Sequence, residues 1–297
     1  MKLTIHLLHY VGVEMAQENE IHPGPLDTSV LKHQEHHISG SVWAKEEMGS
    51  ARVLNVRRAV DTVMGNGVVP LRIIPHLQAA EFYEVAKISS NMSFDARLIS
   101  SMVERWRPET HTFHMPIGEC TITFQDVAVL LGLRVDGEPV TGETNRTDWP
   151  FIIRQFLGRM PANSEITGNR LRIKWLNANF GNINDVPDGD DDGLLFFARA
   201  YIMRLIGGWL LPDSSGSRVP LRYLLLLQDL HQTGRYSWGS AVLGYLYREL
   251  CLATNKDKKE IAGCTMLVQL WAWTRIPGLR PDDTDHPILP AGPLGAR

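Results

Sequence analysis

The sequence predicts a mainly α fold: a helical core carrying a small β-hairpin element near residues 111–141. Three observations lead there. Between residues 191 and 276, four apolar segments of helical length follow one another with short polar links, the pattern of packed helices. The stretch Trp106–Gly142 alternates apolar and polar residues, then offers a helix cap and a glycine stop. With 297 residues and 44% hydrophobic content, the chain buries a substantial core as one body.

Residues 17–70 are polar, weakly periodic and rich in His and Gly, with HPGP at 22–25 marking a turn, and 1–70 read as an extended, partly ordered arm. A helical domain spans 71–276. HLQAAEFYEVAK puts Phe82, Val85 and Ala86 on one helix face. SFDARLISSMVERW repeats this with Ile99, Val103 and Trp106, and Pro108 stops it. In HTFHMPIGECTIT, His111, Phe113 and Met115 alternate with Thr112 and His114, and Gly118-Glu119 offers a hairpin turn. Thr123 with Asp126 forms a T-x-x-D helix start, Gly132 ends that helix, and Asp136-Gly137 turns the chain.

WPFIIRQFLG and RLRIKWLNANF are each long enough for a short helix. Residues 191–207 are apolar nearly all round, which marks a helix buried on most sides. Pro220 suits the first turn of RYLLLLQDL, Ser237 caps WGSAVLGYLYRELC, and KDKKE links to IAGCTMLVQLWAWTR. Pro277, Pro281, Pro287, Pro290 and Pro293 make 277–297 an extended tail.

Charge and composition narrow the function classes. A net charge of −3 with interspersed signs gives no global drive towards nucleic acid or anionic membrane. Arg outnumbers Lys 22 to 8, which favours planar pairing with carboxylates or phosphates, or packing at core edges, over a diffuse cationic surface. Cys120, Cys251 and Cys264 are widely spaced with no C-x-x-C pair, fitting a reducing intracellular compartment. No signal peptide is read in MKLTIHLLHYVGVEM. LLFFARAYIMRLIGGWLL is interrupted by Arg199 and Arg204, so no membrane span is expected.

The chemical motifs fail one by one. GEPVTGET has phosphate-loop spacing, but Glu143 stands where a Lys must reach the phosphates. DGDDDG opens like a calcium loop, yet its twelfth position is Arg199, so capping of the following helix is the better reading. His111, His114 and Cys120 suggest zinc, but two strand residues three apart face opposite ways. His33, His36 and His37 lie in the polar arm and read as solvated. TFQDVAVLLGL resembles the start of a helix-turn-helix, but RVDGEPVTG cannot form a recognition helix; Arg52, Arg57 and Arg58 remain a different route to DNA. Ser237 and Ser240 lie in no nucleophile elbow, and His231 has no evident acid partner. Trp238, Tyr245, Tyr247, Trp271 and Trp273 read as core aromatics. Asp229, Arg235 and Glu249 suggest a buried ionic network that specifies packing.

Taken with ARAYIMRLIGGWLLPDSSGSRVPLRYLLLLQDL, GRYSWGSAVLGYLYRELC and GCTMLVQLWAWTR, the Trp106–Gly142 segment resembles the plant mobile domain family. The likeness begins at HPGPLDTSVLKHQEHHISGSVW and runs to PLGAR, nearly the whole chain. The family includes proteins of the MAINTENANCE OF MERISTEMS type, and member names carry the words aminotransferase and phosphatase. A transaminase needs a Schiff-base lysine, and the mid-domain Lys174 has no phosphate-binding loop near it. The metal-holding segments of a metallophosphatase do not occur.

What the resemblance implies is a nuclear, non-catalytic interaction domain acting in transposable-element silencing, genome stability and meristem maintenance beside a phosphatase-like protein partner. The alternative is a nucleic-acid-binding domain derived from a mobile element. No catalytic, cofactor-binding or metal-binding residue carries over. The family pattern continues past PLGAR, implying a C-terminally shortened domain, and Thr274 stands where an acidic residue is expected.

Overall fold

The computed structural model describes residues 25, 27, 29, 31–43, 52–56, 68–116, 118–213, 215–276 and 279. Within the N-terminal arm lie helix α1 (Ile38–Trp43) and strand β1 (Asn55–Val56), and both are tied to the body. The Ile38 N–H donates to the Thr254 carbonyl at 2.8 Å, and Leu54 N–H to Ser100 Oγ at 2.8 Å. Much of the arm, including residues 1–24, 44–51 and 57–67 with Arg57 and Arg58, and nearly all of the proline-rich tail lie outside the described residues.

The helix expected across HLQAAEFYEVAK is two, α2 (Ile74–Ala79) and α3 (Tyr83–Asn91). The chain turns left-handed at Glu81 (φ 60°), a conformation that costs a non-glycine residue roughly 1–2 kcal/mol. The turn drives Phe82 inward, edge-on to Trp238 at 5.2 Å, and that burial outweighs the strain. Helix α4 (Ala96–Arg105) is capped by Asp95, whose carboxylate accepts from the Arg97 and Leu98 amides, and it buries Leu98, Ile99, Met102 and Val103. It ends before Pro108, because Trp106 and Arg107 enter a strand.

That strand, β2 (Trp106–Arg107), pairs antiparallel with β3 (Thr112–Met115), which pairs with β4 (Gly118–Cys120). The expected hairpin is therefore two-thirds of a three-stranded sheet. Its turn lies between Met115 and Gly118 instead of at Gly118-Glu119. Helix α5 (Phe124–Leu131) starts with a complete capping box between Thr123 and Asp126 and stops at left-handed Gly132 (φ 67°), as the sequence predicts.

Helix α6 (Trp149–Leu157) precedes a second small sheet. In it β5 (Ile166–Thr167) pairs with β6 (Arg170–Arg172), so the expected helix from Arg170 begins three residues late, as α7 (Ile173–Asn179). Helix α8 (Asp191–Leu205), capped by Asp190 and continued by a π-helical turn over Ile206–Leu210, is buried on all sides from Phe197 onward. By length and composition Asp191–Leu210 resembles a membrane span, but 78% of its most apolar window is buried inside the protein.

Strand β7 (Arg218–Pro220) completes the second sheet beside β6. Pro220 thus ends a strand, and RYLLLLQDL divides into α9 (Arg222–Leu225) and α10 (Leu230–Thr233). Helix α11 (Trp238–Ala253), strand β8 (Glu260–Ile261, parallel to β1) and helix α12 (Thr265–Arg275) follow. Helix α5 packs on α11 and α12, α12 on α4, and α6 and α7 on α8, giving the mainly α architecture with small strand elements. One hydrophobic core runs through all of them, each fully buried Leu, Ile or Phe contributing roughly 1.5–3 kcal/mol.

Candidate functional site

A buried polar cluster of His37, Ser39 and Arg107 sits where the arm meets β2. His37 is 3% exposed and clamped from both sides of its ring. Nε2 lies 2.8 Å from the Trp106 carbonyl and Nδ1 3.1 Å from the Ser39 amide. An amide hydrogen pointing at Nδ1 requires a lone pair there, so the ring is neutral with its proton on Nε2. Arg107 Nη1 lies 3.5 Å from both ring nitrogens and donates to Ser39 Oγ at 3.2 Å and Gln34 Oε1 at 3.3 Å. Burial pushes His37 down from 6.5 to about 4; the Trp106 carbonyl opposes that shift and the Arg107 charge adds to it. The expectation of a solvated His cluster is corrected at this residue: His37 is a buried neutral clip, while His33 and His36 are exposed.

Guanidinium groups fasten most of the remaining joints. Arg52 donates to the carbonyls of Ala253, Asn255 and Lys258 at 2.8 Å each, satisfying the C-terminal end of α11 and the turn behind it. That engagement removes Arg52 from the DNA-contact trio. Arg72 donates to Val186 and Pro187 carbonyls, at 2.7 and 2.8 Å. Inside α8, Arg199 reaches the carbonyls of Leu227, Phe156 and Gln228 at 2.8, 3.2 and 2.6 Å and lies over the Phe156 ring. Arg204 reaches the Phe180 carbonyl at 2.6 Å, and burial lowers its pKa to about 10, which leaves it charged at neutral pH. The sequence offered planar pairing with carboxylates or phosphates, or packing at core edges; the partners of these four are mostly backbone oxygens. The signal for two of them was present, an arginine inside an otherwise apolar helix.

The other motif residues disperse. Glu143 pairs with Arg146 at 3.0 Å in an exposed loop. Asp190 caps α8 through the Gly193 amide at 2.9 Å, the role expected for the acidic run. His111 is not in a strand; it turns left-handed (φ 54°) before β3, so strand alternation is the wrong reason for separating it from His114. Among the described residues no three His, Cys, Asp or Glu gather as metal ligands. Ser237 occupies the cap position of α11 without capping it, its hydroxyl donating instead to the Glu138 carbonyl, and Ser240 donates to the Val135 carbonyl. Residues 133–148, after the helix-turn-helix look-alike, form no helix.

Trp238 packs among Phe82, Tyr223 and Tyr236, and Tyr247 packs edge-on to Trp106, which itself meets Phe113. The expected Asp229–Arg235–Glu249 network does not form: Asp229 caps α10, and Glu249 pairs with Arg248 at 3.2 Å. Burial raises the Glu249 pKa, opposed mainly by Arg248. Thr274 returns its hydroxyl to the Trp271 carbonyl, and the neighbouring Arg275 instead bridges α12 to the Asp126 carboxylate of α5. Lys174 is exposed at the start of α7.

Comparison with known proteins places this arrangement. The plant mobile domain profile matches residues 81–297. A serine/threonine-protein phosphatase 7 long form homolog of Arabidopsis thaliana is 39% identical over 291 residues, covering 94% of this chain and 21% of that protein. Protein MAIN-LIKE 1 and Protein MAINTENANCE OF MERISTEMS, from the same plant, are 36% and 33% identical, covering 90% and 86% of this chain and 52% of each relative. The chain thus spans from a fifth to about half the length of these relatives. No solved structure matches it.

Proposed function

The chain belongs to the plant mobile domain family, and from that premise we propose that it is a non-catalytic, nuclear protein-interaction domain acting in transposable-element silencing, genome stability and meristem maintenance. The observation that carries this reading is the use to which polar side chains are put. His37, Arg52, Arg199, Ser237 and Ser240, all residue types that do chemistry or bind anions elsewhere, each hold a backbone carbonyl of another segment. Side chains engaged in this way fix a scaffold and leave recognition to the surface, where Phe151 is 68% and Leu71 78% exposed. A relative named for meristem maintenance supports the biological setting. The proposed partner is a phosphatase-like nuclear protein.

Affinity purification of the full chain from plant nuclei, with and without nuclease, tests the reading. A phosphatase-like protein retained after nuclease treatment is the expected result. Loss of all partners on nuclease treatment, with direct retention of DNA or RNA by the purified chain, overturns it in favour of a nucleic-acid-binding domain.

A further inference from the structure

The second sheet has one buried and one open face. Its register places Ile166 opposite Leu171 and Leu171 opposite Val219, and Leu171 and Val219 are fully buried. Alternation puts the remaining positions on the other face: Thr167, Arg170, Arg172, Arg218 and Pro220. Arg170 and Arg172 are exposed and Arg218 half-exposed. Arg172 sits directly opposite Arg218, a like-charge cross-strand pair that disfavours the sheet.

Arg170 is held by Asp213 at 2.8 Å, but among the described residues neither Arg172 nor Arg218 has a carboxylate within ion-pair distance. The Nε–H of Arg218 is moreover shielded from water and donates to no acceptor. Elsewhere in this fold guanidiniums hold carbonyls, as Arg52 and Arg199 do, or carboxylates, as Arg146 and Arg275 do; among the described residues these two hold neither. Lys174 adds an exposed cation two residues beyond Arg172. The sheet packs at the C-terminal end of α8, where Gly207 meets Val219, whereas Asp188, Asp190, Asp191 and Asp192 crowd the N-terminal end roughly 22 Å away along the 15-residue helix. The acidic run therefore does not neutralise the arginine face.

We propose that this open face of the β5–β6–β7 sheet docks an extended, acidic segment of a protein partner, with Arg172 and Arg218 as its carboxylate-binding residues. The proposal rests on the protein-interaction reading above and gives it a surface. Alternate residues of a strand lie about 7 Å apart, so Arg172 and Arg170, which would share its guanidinium between Asp213 and the ligand, match the spacing of acidic side chains at every second position of an extended peptide. Guanidinium forks bind carboxylates in paired hydrogen bonds, and each such bond on Arg218 or Arg172 engages donors that have no protein partner among the described residues. A protein ligand fits better than nucleic acid. The face offers about three cations where nucleic-acid binding typically uses about 6–10 phosphate contacts, and the chain as a whole carries a charge of −3.

The test measures fluorescence anisotropy of labelled peptides added to the full chain near physiological salt. The probes are a peptide alternating Glu and Thr, a peptide of the same composition with its glutamates in one block, a Gln-for-Glu version, and a short DNA duplex. The alternating peptide is expected to bind most tightly. Arg172→Glu and Arg218→Glu, made singly, are each expected to weaken it about tenfold or more while Tm holds or rises. That split between binding and stability is one a merely structural role would not give.

Equal binding of the block or Gln peptide, or unchanged affinity in both variants, overturns the proposal. Tighter binding of the duplex, lost in the same variants, overturns it in favour of nucleic acid. Repeating the nuclear purification with Arg172→Glu separates the two levels. If the nuclease-resistant partner persists and the peptide result is negative, the face falls and the interaction reading stands; if the wild-type chain already loses its partners to nuclease, that reading falls first.

Discussion

Arg199 and Arg204 in α8 and Arg172 and Arg218 in β6 and β7 are the same residue type in opposite use. The first pair is buried and hydrogen-bonded to carbonyls of three other segments. The second faces outward, opposed across two strands, without a carboxylate partner among the described residues. The difference lies in what each backbone brings within reach. Helix α8 runs past the ends of α6 and α7 and past the loop before α10, where helix termini leave carbonyls unpaired. The sheet satisfies its own carbonyls through its ladder; Arg170 pairs with Asp213, and among the described residues Arg172 and Arg218 reach no acceptor. A guanidinium is structural where it meets unpaired carbonyls and is available to a partner where it does not.

The strongest way to break this contrast is to remove the inward member. Arg199→Ala leaves three carbonyls without their donor in the core and is expected to destabilise the fold by about 3–5 kcal/mol, read as a lowered denaturation midpoint in urea. Arg199→Lys, with a single ammonium in place of a planar fork, is expected to recover less than half of that loss. Recovery of full stability by lysine would show that charge, and not the fork, holds the joint.

His37 tests the same principle by pH. An unfolded histidine titrates near 6.5, but in the fold His37 titrates at about 4 because burial disfavours its charged form. The unfolded chain therefore takes up the proton first. The stabilisation from the neutral clip is complete above pH 6.5 and is lost as pH falls through about 4, amounting to about 3 kcal/mol. Carboxylates such as Asp126, lowered by Arg275 and Thr123 against the effect of burial, titrate in wild type and variant alike. The difference between wild type and His37→Gln isolates the clip. Denaturation midpoints of the two at pH 7.5 and pH 4.5 are expected to fall further for wild type.

Gly207 marks the seam between the two regions. A Cβ there would lie 2.6 Å from Val219 Cβ and 3.1 Å from Ile173 Cδ1, so Gly207→Ala pushes the sheet off the end of α8. The expected loss is about 1–3 kcal/mol by thermal melt. An unchanged Tm would mean that the sheet moves freely on the helix, and that the two regions are less rigidly joined than their packing implies.

What the sequence made legible follows the same division. The Thr123–Asp126 box and Gly132 were readable because both act within four residues of themselves, and the buried character of 191–207 because it needs only composition. The break at Glu81 was not, since it depends on Phe82 reaching Trp238 more than 150 positions away. RLRIKW and RYLLLLQDL carry helix-like patterns, yet three residues of the first form a strand because β7 lies beside them, a long-range pairing that local propensity cannot encode. His37 looked solvated for a related reason. Its neighbours in the sequence are polar, and its neighbours in space are Trp106, Ser39 and Arg107. Arg172 and Arg218, 46 positions apart, become a pair only through register.

The smallest effect is the most discriminating for that pair. If the opposed arginines were only surface residues, replacing one with glutamate would convert a cross-strand repulsion into an ion pair and do nothing else. Arg172→Glu is therefore expected to stabilise the fold by about 0.2–1 kcal/mol, a rise in Tm of about 1–3 °C. The gain should shrink in high salt, because both groups are solvent-accessible. A stabilised variant that has lost the acidic peptide would mean that the wild-type sheet carries a local electrostatic cost linked to what the face binds. A destabilised variant would instead place Arg172 with Arg199, as a guanidinium the fold itself requires, and the contrast between the two regions would disappear.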